Sequence, residues 1–456
     1  MMAKILYFFF LSSALLPTTI GTTTAGLVPL NNGEPSSTST HSSVLLSSQE
    51  NTSGNSNSCN VTVSGLSLAD AITDNTCNEI YIENGTYLIE NTIDIKRPVH
   101  ISGESKENTI LQKIGGGSLL LVIRTHDVIV EKLTLDAYTN DSDDNPIYEA
   151  FGVFGSNNCT LHDCIVFGSN HMFAVFFAGP YVDAGQPTID AFEAGQLDSG
   201  NVMEGNYVRE YSKLDIVSFS LQKNGAVRNN VVEGGVISFF MNRNSECIGN
   251  RIENSMTQGI FVSVPAEQNL IKKNVIFNST AAGIKVAIQV DHNNADGNSL
   301  TPNDYRAKGI VINKNKIRSS NYLGIEAANT FKAKVKSNVI RNIGLSGIYL
   351  LRADNTTISR NKIKKFGKEC NHSFSNMNSG VLGDYKTTNT TISKNKIIGS
   401  KKNVCAAHAV RINPGGEQTG NEIGCNTILG NYIEDSISVD VSVENKNTVQ
   451  TSCNTR

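Results

Sequence analysis

One asparagine recurs along the chain in a fixed apolar frame. It stands at Asn230, Asn250, Asn274, Asn315, Asn338, Asn361, Asn395 and Asn431. Three residues before each lies Val227, Cys247, Ile271, Ile312, Val335, Ile358, Ile392 and Ile428, and two residues after lies Val232, Ile252, Ile276, Ile317, Ile340, Ile363, Ile397 and Ile433. The spacings are 20, 24, 41, 23, 23, 34 and 36 residues, and Asn206, between Met203 and Val208, extends the series backwards. Nine residues after four of these asparagines comes a second element: GIFV at 259–262, GIKV at 283–286, GIEA at 324–327 and GIYL at 347–350. The shortest unit that carries both elements is thus 23 residues long and holds three short alternating stretches. Strict period-two alternation in segments this short is strand, not helix. A unit of this size cannot bury its apolar residues alone and must stack on its copies. Asn tolerates left-handed backbone and bonds to nearby backbone groups, so one Asn per coil is expected to turn the chain at a corner. Stacking then aligns the asparagines into a hydrogen-bonded column and the Ile and Val into an apolar one. The longer spacings are coils that carry loop insertions.

Composition agrees with one elongated solenoid, although 456 residues would ordinarily suggest about three domains. Charged residues make up 18%, there are 10 prolines and there is no tryptophan; ordinary globular domains carry about 25% charge. A net charge of −3 gives no general electrostatic case for nucleic-acid binding. At the N-terminus Lys4 precedes the apolar run Ile5–Leu16 and a small-residue stretch. That pattern predicts a signal peptide over 1–25, and no second long apolar run suggests a membrane span after its removal. Residues 26–58, rich in Ser, Thr and Asn, are expected to form a disordered leader, with the solenoid domain over 59–456. The protein is therefore expected to be secreted, or at the cell surface or in the periplasm. Nine N-x-S/T sequons, at Asn51, Asn60, Asn84, Asn140, Asn158, Asn278, Asn355, Asn371 and Asn389, matter if the host glycosylates. Nothing in the sequence sets an oligomeric state.

The asparagine repeat resembles that of the pectate-lyase-like superfamily, over roughly residues 60 to 450. The opening is similar too: LADAI at 68–72, then EIYIENGTYLIENTIDIKRPVHISGE at 79–104. The resemblance implies an all-β, single-stranded right-handed parallel β-helix of about 10–12 coils, with an N-terminal cap helix to hide the exposed strand edges. This architecture hosts many activities, so function has to come from the site.

The nine cysteines fit the coils. Cys247 takes the inward slot that Ile fills elsewhere and reads as a buried free thiol. Cys59 with Cys77 would staple the N-terminal cap, Cys425 with Cys453 the C-terminal end, and Cys370 with Cys405 two neighbouring loops. Cys159 and Cys164 either close a small loop or are two free core thiols, Cys164 standing where a ladder asparagine would stand. No Cys/His spacing typical of a zinc site is present.

In such a solenoid the usual binding surface is the outside of the sheet that holds the Gly-Ile-x-Val strands. Alternation there places Ile260 and Val262, Ile284 and Val286, Ile325 and Ala327, and Ile348 and Leu350 inward. The residues between them point out: Phe261, Lys285, Glu326 and Tyr349, then Leu382 and Arg411 by extension. With coils about 4.8 Å apart these form one column. Its chemistry suits uronate polymers. Elimination needs the C6 carboxylate neutralised, a base at C5 and an acid at the leaving oxygen. Lys285, Glu326, Tyr349 and Arg411 are the candidate catalytic residues, with Phe261 against the substrate. Outward strand positions are also ordinarily polar, and a Lys beside a Glu is often only a cross-strand pair.

Acidic insertions offer a second candidate. Asp136 to Glu149 contains Asp141, Asp143 and Asp144, a set suited to Ca²⁺. The segment from Phe177 to Asn201 carries Asp183, Asp190, Glu193 and Asp198, with His171 just before it. Asp190, Glu193 and His171 would line the N-terminal half of the groove. Solvated acidic loops would look the same. The sharper signatures of the superfamily are missing: no DPHD of the mannuronan epimerases, no NTD or His-Gly of the polygalacturonases, and no Arg-x-Pro-x-x-Arg of the pectate lyases. HAVRIN at 408–413 is only weakly similar to the polygalacturonase Arg-Ile-Lys.

A basic stripe flanks the asparagine corners: Lys273, Lys314, Lys316, Arg360, Lys362, Lys394 and Lys396. It can hold a polyanion by charge or simply keep an edge solvated; export and the lack of interleaved aromatics speak against nucleic acid. Two function classes remain: a lyase or C5-epimerase of uronate-containing polymers, ahead of a hydrolase, and a non-catalytic secreted or surface β-helix that binds glycans or mediates adhesion.

Overall fold

The computed structural model describes residues 58–449, except 115–119, 138–148, 169–172, 181–187, 211–214, 289–304, 369–377, 400–407, 414–418, 430–434 and 440–447. The expected signal peptide therefore lies outside the described residues, as does the leader apart from Ser58, which opens the first strand, Ser58–Val61. Three long parallel sheets run the length of the molecule, the first with fifteen strands and the second and third with thirteen each. A typical coil passes through Leu270–Lys272 in the first sheet, Val275–Phe277 in the second and Ala282–Ile288 in the third. The chain is a right-handed parallel β-helix of about thirteen coils, slightly more than expected. The extra coils lie at the N-terminal end, where strands such as Ile93–Ile95 and Leu121–Ile123 carry no ladder asparagine. Inward residues stay in register from coil to coil: Val227, Cys247, Ile271, Ile312, Val335, Ile358 and Ile392 pair in succession. They belong to one continuous apolar core.

The asparagine column is present and fully buried. Each ladder Asn accepts, at its Oδ1, both the backbone N–H and a side-chain Nδ2–H of the asparagine one coil earlier. For Asn338 the donors are Asn315 N at 2.9 Å and Asn315 Nδ2 at 3.0 Å. Its own Nδ2 donates to Ile312 O at 3.0 Å and to Asn361 Oδ1 at 3.0 Å. The pattern runs from Asn206 to Asn426.

Two details differ from the sequence expectation. The ladder continues from Asn395 to Asn426, not to Asn431. Ile423, Ile428 and Ile433 are five apart, so the same frame fits an Asn at 426 or at 431. Ile428 pairs with Ile397, the slot after the Asn, which decides for 426; Asn431 lies outside the described residues. Nor is the ladder Asn the left-handed residue. The residue before it is: Asn229, Gly249, Lys273, Lys314, Ser337, Arg360 and Lys394 all have φ between +55° and +72°. The Asn side chain must point inward to meet its neighbours, so the preceding residue absorbs the turn.

The Gly of the Gly-Ile elements has a separate cause. A Cβ on Gly283 would lie 2.6 Å from Ile317 Cγ2 and 2.8 Å from Gly324 O, closer than real Cβ atoms come. The second sheet and the next coil approach too closely there for any side chain.

The cap helix is present as α1, Leu68–Thr73, with Ser67 accepting from Asp70 N at its start. Leu68, Ala71 and Ile72 cover the open end of the core. Arg97 donates to the carbonyls of Ile72, Ala71 and Asp74, satisfying the last turn. Cys59 and Cys77 form a disulfide beside it. Cys425 is disulfide-bonded, while Cys370, Cys405 and Cys453 lie outside the described residues. Cys159, Cys164 and Cys247 are free and buried. Cys164 stands at the head of the ladder, its backbone N–H donating to Asn206 Oδ1 at 2.8 Å. Burial pushes the Cys159 thiol up to about 11 and the Cys164 thiol up to about 12, and raises Cys247 further. Thiolate, not thiol, is the reactive form, so the native protein should leave these three unlabelled by iodoacetamide at pH 8, and unfolding should expose all three. Peptide mapping that finds native labelling at any of them would contradict the buried positions. Among the described residues no helix is long and apolar enough to cross a membrane.

Candidate functional site

The third sheet presents its outer face as a column in strict register. Ser218, Ser238, Phe261, Lys285, Glu326, Tyr349, Leu382 and Arg411 occupy corresponding positions on successive strands. The predicted candidates are therefore brought together, with Arg411 two coils beyond Tyr349. Lys285 Nζ lies 3.7 Å from Glu326 Oε2, with the Glu326 side chain only 16% exposed. Burial raises the Glu326 carboxyl above its ordinary range, and the Lys285 charge opposes that shift. One coil on, the Tyr349 hydroxyl donates to Asp384 Oδ2 at 3.2 Å. Burial, then the Asp384 and Glu326 charges, push the Tyr349 hydroxyl well above its ordinary value. Tyr349 thus keeps its proton at neutral pH and is suited to act as an acid, not a base.

These polar groups sit between two apolar patches. On one side Phe261 packs with Val236, Ala287 and Ala328 and is buried. On the other Tyr349 packs with Ala282, Leu323, Leu345 and Leu382. The Phe261 ring is accordingly covered, not presented as an open platform.

Two acidic residues of this face lie beyond the candidates picked from the sequence. Asp384 belongs to the Leu382 strand, two residues further along, and lies on the same outer face; alternation alone would have found it. Asp215 opens the strand Asp215–Ser220 and pairs with Val236 at a bulge, the register shifting by one before Val217. Burial pushes its carboxyl up to about 6, Ser238 opposing the shift. No Gly-Ile element marks that strand, so the repeat gave no reason to look there.

The acidic insertions resolve differently. Helix α2, Thr188–Glu193, buries Ile189, Ala191 and Phe192 against Leu221, Phe240 and Met241, with the Arg243 guanidinium 4.3 Å from the Phe192 ring centroid. Asp190 and Glu193 are on its exposed side, and among the described residues neither bonds to the Lys285–Glu326–Tyr349 cluster. Asp198 is buried and accepts the Ser156 backbone N–H at 2.8 Å; burial pushes it up to about 7. It ties a corner together and does not line the groove. His171, Asp141, Asp143, Asp144 and Asp183 lie outside the described residues. The one metal-like grouping among the described residues is Cys59, Asp74 and Cys77, where the two sulfurs are already joined to each other.

Comparison with solved structures settles the architecture. The A-module of the Azotobacter vinelandii mannuronan C-5 epimerase AlgE6 superposes with a TM-score of 0.57 at 16% identity, over 84% of this chain and 92% of that one. The chain has the parallel β-helix fold. The AlgE4 A-module from the same organism gives a TM-score of 0.55 at 15% identity, over 84% and 93%. The pre-mature gene product 12 of bacteriophage phi29 gives 0.58 at 14% identity, over 79% of this chain and 51% of that one. No family model matches the sequence, and no curated protein does. At such identities the likeness is one of fold.

Proposed function

We propose that this β-helix acts outside the cell on a uronate-containing polysaccharide, as a lyase or C5-epimerase, at the outer face of its third sheet. The observation that carries the reading is the pairing of Lys285 with Glu326 and of Tyr349 with Asp384 on consecutive coils. The shared fold with two mannuronan C-5 epimerase modules supports it. Lys285 would neutralise the substrate C6 carboxylate, and Glu326, more basic than an exposed glutamate, would take the C5 proton. In a lyase the C5–H electrons form the C4=C5 bond, the C4–O bond breaks, and the leaving oxygen takes the Tyr349 hydroxyl proton. In an epimerase Tyr349 would return a proton to C5 on the opposite face. Arg411, two coils along, would hold a further carboxylate, and Asp190, Glu193 and His171 would flank the chain, while the covered Phe261 ring supports the groove floor from beneath. Ca²⁺ held by Asp141, Asp143 and Asp144 would help bind an acidic polymer.

A second reading is a non-catalytic surface β-helix that binds glycans or mediates adhesion. The burial of Leu382 and of all but 9% of Tyr349 favours it, since little of that stretch of the column is open. Incubation with alginate, pectate and glycosaminoglycans, with and without a Ca²⁺ chelator, separates the two. Ultraviolet absorbance from new unsaturated ends shows a lyase, and NMR of the product shows C5 inversion. The expected result is one of these signals, reduced on the order of a hundredfold in Tyr349→Phe. Binding with no turnover on any substrate would leave only the second reading.

A further inference from the structure

The outer face of the second sheet differs from the rest of the surface in charge. Five successive coils, from Lys273 to Ile398, place three rows there. The corner row is Lys273, Lys314, Ser337, Arg360 and Lys394, the left-handed residues that precede the ladder. The next row is Val275, Lys316, Val339, Lys362 and Lys396, and the third is Phe277, Arg318, Arg341, Lys364 and Ile398. Ten of these fifteen positions are cationic and none is acidic, in a chain whose net charge is −3. Among the described residues none of the ten forms an ion pair. Elsewhere pairing is common: Lys106 with Asp163, Arg228 with Glu246, Arg243 with Glu267, Arg306 with Asp354.

We propose that this face is a binding surface for a linear polyanionic polysaccharide, separate from the groove on the third sheet. Within a row successive positions are about 4.8 Å apart, so neighbouring cations stand one or two coils from each other, and along a strand alternate residues are about 6.6 Å apart. That is a lattice of charge, matched to a polymer with repeated carboxylates or sulfates and not to one isolated anion. The strands hold the backbone rigid, so the charges are aligned before binding. They also repel each other: Lys362 first, with Lys396 and Arg341, holds the Lys364 ammonium below its ordinary value. A bound polyanion relieves that repulsion. Nucleic acid fits less well. The one aromatic in the array, Phe277, has the guanidinium groups of Arg251 and Arg318 over its ring at 4.9 and 4.8 Å, so no bare ring remains for a base to stack on.

The test titrates the full chain with heparin and with alginate at about 0.1 M salt, where charges about 10 Å apart still interact. The triple variant Lys362→Gln, Lys364→Gln, Lys396→Gln should bind on the order of tenfold more weakly, with a shallower salt dependence. Its Tm should stay the same or rise, because these side chains lie at the surface and repel. Lys334→Gln, an exposed cation of the first sheet outside both the array and the groove, should bind both polymers as the wild type does. Unchanged binding by the triple variant would overturn the proposal, as would tighter binding of duplex DNA than of heparin under the same salt. Failure of the catalytic assay leaves this binding unaffected, so the two readings fall separately.

Discussion

Asn338→Ala should destabilise the protein by about 3–5 kcal/mol, read as a lower urea midpoint with an unchanged slope. The substitution deletes both acceptor positions used by Asn315 and the donor that reaches Ile312 O and Asn361 Oδ1. All these groups lie in a buried column, Asn315 and Asn338 being 0% exposed. Each buried polar group left without a partner costs roughly 1–3 kcal/mol, and neighbouring coils restrict relaxation. Asn338→Asp should be no better, because a carboxylate cannot donate to the Ile312 carbonyl. The contrast lies one residue before the next rung. Arg360 has φ +58°, a conformation costing an ordinary residue about 1–2 kcal/mol, so Arg360→Gly should be neutral or stabilising by up to about 1 kcal/mol. Equal losses at Asn338 and Arg360 would mean that the corner as a whole, and not the ladder, holds the coils.

That contrast marks what the sequence could and could not tell. The repeat of Asn with its flanking Ile and Val is a statement about which side chains are buried, and burial repeats visibly. Which residue takes the left-handed turn is not. Gly, Asn, Lys, Ser and Arg all do so here, because the ladder bonds offset a strain that composition does not reveal. The slip from Asn426 to Asn431 has a similar cause: Ile423, Ile428 and Ile433 offer one frame two places to sit.

At the groove, alternation within strands placed Phe261, Lys285, Glu326, Tyr349, Leu382 and Arg411 in one column, because parallel stacking in register adds only whole coils. It did not show that Phe261 and Tyr349 are covered, since covering side chains such as Leu345 come from between the strands. Asp384 was within reach by the same alternation. Asp215 was not, because its strand lacks the Gly-Ile signal. The Cys59–Cys77 disulfide was legible because both residues border the short cap helix, which leaves few partners.

Lys285→Met should both unbalance the groove and change how stability depends on pH. In the native protein Glu326 has a raised pKa from burial, moderated by Lys285. An acid that binds its proton more tightly when folded lowers stability as pH rises from the unfolded value, about 4.3, through the folded one. The wild type should therefore lose some stability across that window. Without Lys285 the opposing charge is gone, the Glu326 pKa climbs further, and the window widens toward neutral pH. At pH 4 the variant should be nearly as stable as the wild type. At pH 8 it should be weaker by about 3 kcal/mol, the usual consequence of leaving a buried charge unpaired. Adding Glu326→Gln to Lys285→Met should restore the loss at pH 8 and flatten the profile. Urea midpoints across pH 4 to 9 for the wild type, the single and the double variant measure this directly. A single-variant deficit that does not change with pH would show that Lys285 acts through packing alone. On the catalytic reading, activity should need deprotonated Glu326 and so rise with pH through its raised pKa. Glu326→Gln should then remove turnover on the order of a hundredfold or more, whatever it does for stability. The two readouts move in opposite directions at the same residue, as expected where a buried charge is kept for chemistry at the expense of the fold.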